Sequence, residues 1–96
     1  MHRIHQKIDK QIIKALTVVC EEVKYECEGF TWLTHEVDYQ RFPQSLRIIL
    51  VFTEETPASA LKASLVWIVR RVQDNLEPII KELLPANQIE ARYEID

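Results

Sequence analysis

The apolar residues of this 96-residue chain change their spacing three times, and each change dictates a different kind of element. Ile4, Ile8, Ile12, Leu16, Val19 and Val23 recur every three or four positions and form the stripe of an amphipathic helix, widened by Ile13 and Cys20. Leu33, Val37 and Tyr39 then share one parity, with Trp32, Thr34, Glu36 and Asp38 on the other. Leu46, Ile48, Leu50 and Phe52 alternate with Arg47, Ile49, Val51 and Thr53. Helical spacing returns in Ala58, Leu61, Leu65, Ile68, Val69, Val72, Leu76, Ile79 and Leu83, and Ile89, Ala91, Tyr93 and Ile95 alternate once more.

The spacing predicts a helix over 4–28, with Gly29 as its positive-φ cap. Strands over 30–39 and 46–53 follow, joined by the turn Arg41–Ser45 into an antiparallel hairpin. Thr56 is expected to cap the second helix with Pro57 at its first position, and Pro78 to kink or split it near 74–77. A short strand from Ile89 ends the chain. Residues 1–96 thus read as a single α+β domain of order α-β-β-α-β, a two-layer sandwich. Two helices cover one face of a three-stranded, mainly antiparallel sheet. Of the two strand orders this allows, the one with the first strand central is preferred.

Composition excludes several chemistries. The chain has one glycine, so no glycine-rich phosphate loop, Rossmann turn or serine-hydrolase elbow can be built. Its net charge of −3 and pI near 5.6 offer no general attraction for nucleic acid. Cys20 and Cys27 stand about 10 Å apart along a helix, too far for a disulfide, and read as reduced thiols. No spacing suits a metal, no cofactor is implied, and Met1–Lys7 does not read as a signal peptide. No apolar run is long enough to cross a membrane. These features predict a cytoplasmic location.

Two surfaces remain once the core is filled. On the second helix, Trp67 falls almost opposite the apolar stripe, beside the small residues Ala60, Ala63 and Ser64 and one turn from Arg70 and Arg71. An outward indole flanked by small residues and arginines suits a homodimer or a protein partner. On the uncovered sheet face, Trp32, Ile49 and Val51 form an apolar trio among charged residues. These nine residues are the interface candidates.

His35, Asp38, Arg41 and Arg47 are the candidates for ligand binding or acid–base chemistry. Strand parity separates His35 from Asp38, which argues against an enzyme. The stripe Arg3, Lys7, Lys10 and Lys14 is the one nucleic-acid signal, opposed by the carboxylates that follow on the same helix.

The stretch Trp32-Leu33-Thr34-His35-Glu36-Val37-Asp38-Tyr39-Gln40-Arg41-Phe42-Pro43-Gln44-Ser45-Leu46 resembles a segment of a family of small proteobacterial proteins of unknown function. The resemblance implies a bacterial source and no activity, cofactor or catalytic residue. The sequence therefore predicts a self-associating or partner-docking module.

Overall fold

The computed structural model describes residues 3–94, and side chains from Gln6 to Glu94. Ile95 and the side chains of Arg3 and Ile4, assigned above to a strand and to the helix stripes, lie outside the described residues.

Helix α1 spans Arg3–Glu26, strand β1 Phe30–Glu36, strand β2 Arg47–Phe52, helix α2 Ala58–Ile80 and strand β3 Ile89–Tyr93. Single 3-10 turns stand at Tyr39–Arg41 and Ala86–Gln88. The expected α+β fold and element order are present. The sheet is mixed, in the order β1-β2-β3, with β1 antiparallel and β3 parallel to β2. The preferred order with β1 central is therefore corrected: β2 is the central strand. The reason is legible in β2 itself. Ile48, Ile49, Leu50, Val51 and Phe52 are all buried, so the strand is apolar on both faces and needs a neighbour on each side. β3 alternates apolar with polar residues, and β1 carries Thr31, Thr34, His35 and Glu36, so both suit the edges.

The core lies between the helices and one sheet face. Ile12, Leu16, Val19 and Val23 of α1 meet Ile68, Val72, Leu76 and Ile80 of α2 over Ile48, Leu50, Phe52 and Ile89. Burial of each such side chain is worth about 1.5–3 kcal/mol. A bulge after Phe30 shifts the β1 register, so that Phe30 opposes Phe52 and Trp32 opposes Val51. It lets Phe30 and Leu33, of opposite parity, both join the core side. Phe30 and Phe52 meet edge to face with centroids 5.7 Å apart.

Three expectations about helix ends are corrected. Helix α1 stops at Glu26, and Gly29 does not have positive φ. Glycine is required there by contact: a Cβ on Gly29 would lie 2.2 Å from Thr56 Oγ1. Pro57, not Thr56, is the cap residue of α2, because the Thr56 hydroxyl is paired with that of Thr53 at 2.9 Å. Helix α2 is not split at Pro78: it continues through that residue to Ile80 and is capped by Lys81, whose φ is 66°. That left-handed residue turns the chain, so Leu84 is buried and Leu83 is 57% exposed.

Candidate functional site

Strand β1 delivers His35 to the helix side of the sheet, opposite Ile48. There its Nε2 lies 3.1 Å from Oδ1 of Asp9, on the second turn of α1. The hydroxyl of Tyr39, from the turn after β1, donates to the same oxygen at 2.6 Å. Its ring packs on that of Phe42 with centroids 5.5 Å apart and planes tilted by 35°, next to the cis Phe42–Pro43 bond. Hydrogen bonds from Tyr39 and then His35 hold the Asp9 carboxyl below its ordinary range, against a smaller desolvation penalty. Burial, and then the Asp9 carboxylate, push the Tyr39 phenol well above its ordinary range. The phenol therefore stays a donor.

This junction closes one end of a groove of about 470 Å³ between α1 and β1. Ile13, Leu16, Cys20 and Leu33 supply its apolar wall, with Glu21 and Lys24 at the rim. Asp9 was missed by sequence reasoning. Its signal was available: it is the one carboxylate of the chain before Glu21, set in a cationic stretch and beside the apolar stripe.

The four ligand candidates do not converge. His35 is engaged with Asp9. Asp38 caps the following turn, its Oδ1 accepting from Gln40 N at 3.0 Å, while Ser45 Oγ clasps its backbone. Arg41 is exposed in that turn. Arg47 stands on the opposite sheet face, 3.4 Å from Glu90 Oε1. Among the described residues no three His, Cys, Asp or Glu side chains are grouped to hold a metal.

The interface candidates also separate. The outward placement of Trp67 is corrected: its ring is half-buried against the core cluster. The Arg71 guanidinium lies 5.1 Å from the ring centroid and reaches Glu22 and Glu26 of α1 at 3.4 and 3.3 Å. Ser64 joins the same seam, 3.5 Å from Cys27 Sγ. The apolar stripe marks only one buried side of α2. Helix α1 runs antiparallel beside it and covers a second side. Ala60, Ala63 and Arg70 do remain exposed, and the large apolar residue in the open on α2 is Val66, at 76%.

On the free sheet face Trp32 is 45% exposed, but Ile49 and Val51 are buried. Their cross-strand neighbours Trp32, Thr34, Glu90 and Arg92 close over them. Arg92 Nε bonds Glu90 Oε2 at 2.8 Å and holds that carboxyl below its ordinary range, with Arg47 adding to the effect. That face is a laced, charged surface with one projecting indole. No described helix is long and apolar enough to cross a membrane. No protein-family model, curated protein or solved structure matches the chain.

Proposed function

We propose that this chain is a small protein-interaction module that docks another protein on the outer face of its helical layer. One observation carries the reading: Tyr25, Val66 and Val18 are 92%, 76% and 46% exposed, away from the buried stripes of α1 and α2. Apolar side chains grouped on an exposed surface mark docking sites, and aromatic residues such as Tyr25 are enriched at their centre. The polar chemistry supports it from the other direction, since His35, Asp38 and Arg47 are engaged in holding elements together. A cytoplasmic location belongs to the same reading, supported by the free thiols of Cys20 and Cys27.

Site-directed photo-cross-linking tests it. A photoreactive residue in place of Tyr25 or Val66 is expected to trap one discrete protein in cells that express the chain. The same residue in place of Glu54, an exposed turn position, should trap none. Absence of a discrete adduct from both helical positions, or the same adducts from all three, overturns the proposal.

A further inference from the structure

Helix α1 carries a second periodicity on its solvent side. Lys7, Gln11, Lys14, Val18, Glu21 and Tyr25 follow one another at alternating intervals of four and three, and all are exposed. Glu28 continues the interval just past the helix end. Such spacing keeps one line of side chains along one face of a helix, the geometry of a two-helix seam. The seam is sorted by charge: cations precede Val18 and carboxylates follow it. Among the described residues neither Lys7, Lys14, Glu21 nor Glu28 makes an ion pair, whereas the neighbouring Glu22 and Glu26 are held by Arg71. The basic half alone suggested nucleic acid, but a phosphate backbone laid along α1 would meet the acidic half.

We infer that the occupant of this face is a second copy of the chain, with the two α1 helices antiparallel about a two-fold axis at Val18. This rests on the docking reading and names its partner. The charge order is its own complement when reversed. The axis sets Lys14 opposite the partner's Glu21, Lys7 opposite the partner's Glu28, and Gln11 opposite the partner's Tyr25. Two-fold symmetry makes each contact twice. Val18 meets the partner's Val18 at the centre. A parallel pair would set Lys7 on the partner's Lys7 and Glu21 on the partner's Glu21, so the same charges exclude that arrangement. The seam is more polar than a leucine zipper, and the dimer it forms is reversible and salt-sensitive.

Sedimentation of the full chain over a wide concentration range tests this. The expected result is a monomer–dimer equilibrium that weakens several-fold as salt rises. Lys14→Glu and Glu21→Lys should each weaken the dimer about tenfold or more, since each sets like charges together twice. The double variant Lys14→Glu/Glu21→Lys should recover it, because the pair re-forms with its signs exchanged. Both positions are exposed, so the fold tolerates the changes. A monomer at every concentration overturns the inference, as does a dimer indifferent to the single reversals. In either case the photo-cross-linking result, which scores any protein partner, still decides the docking reading separately.

Discussion

The hydroxyl of Tyr39 stands 2.6 Å from Oδ1 of Asp9 and ties the turn after β1 to the first helix. His35 reaches the same oxygen from the strand, so three segments meet at one carboxylate atom. Tyr39→Phe removes a donor to a charged acceptor and should cost about 1 kcal/mol, the usual value for such a bond lessened by partial exposure of Asp9. Urea midpoints of the wild type and the variant measure this.

The same junction sets a pH dependence. The Asp9 carboxyl sits below its ordinary value of 3.8 in the folded chain. Its contribution to stability is therefore complete above that value and is lost as pH falls through the lower folded pKa. The Tyr39 phenol is shifted upward from 10.0, so its contribution is complete below that value and declines in stronger alkali. Thermal midpoints measured against pH should fall at both extremes, and Asp9→Asn should flatten the acid limb but only lessen the alkaline one, since burial, the larger cause of the phenol's shift, remains.

Gly29→Ala should destabilise the fold by about 2 kcal/mol, because the added methyl meets the Thr56 hydroxyl in a junction that is already closed. Thr56→Ala removes that hydroxyl and its neighbouring methyl. The double variant should therefore cost less than the sum of the two single changes, a coupling that a double-mutant cycle of denaturation free energies reads directly.

Leu83 and Leu84 are adjacent and chemically identical, yet only Leu84 is in the core. Leu84→Ala should cost about 2–4 kcal/mol and Leu83→Ala under about 0.5 kcal/mol. Equal losses in calorimetry would contradict the turn at Lys81.

Trp67→Ala should lower stability by about 1–2 kcal/mol, since the half-buried ring lies on the core and under Arg71. Arg71→Ala should lower it by less, because its two carboxylate partners on α1 are half exposed. Neither change should alter the sedimentation mass. A shift in mass with Trp67→Ala would return that residue to the interface.

The periodicities determined the elements. A stripe such as Ile12, Leu16, Val19, Val23 can hide only as a helix face, and Leu46, Ile48, Leu50, Phe52 only as a strand face, because backbone geometry fixes 3.6 and 2 as the repeat distances. Periodicity is local, however, and does not say which element lies alongside which. That β3 joins β2 rather than β1 was hinted at by the unbroken apolar run Ile48–Phe52, but parity alone assigned Ile49 and Val51 to an open face, and the order with β1 central was preferred. Asp9, His35 and Tyr39 come from three segments, and their meeting at one oxygen depends on α1 lying over β1. Likewise, whether Trp67 faced water or protein depended on where α1 came to rest beside α2. Packing of whole elements decides such questions, since it fixes the second neighbour that no repeat distance along a single chain contains.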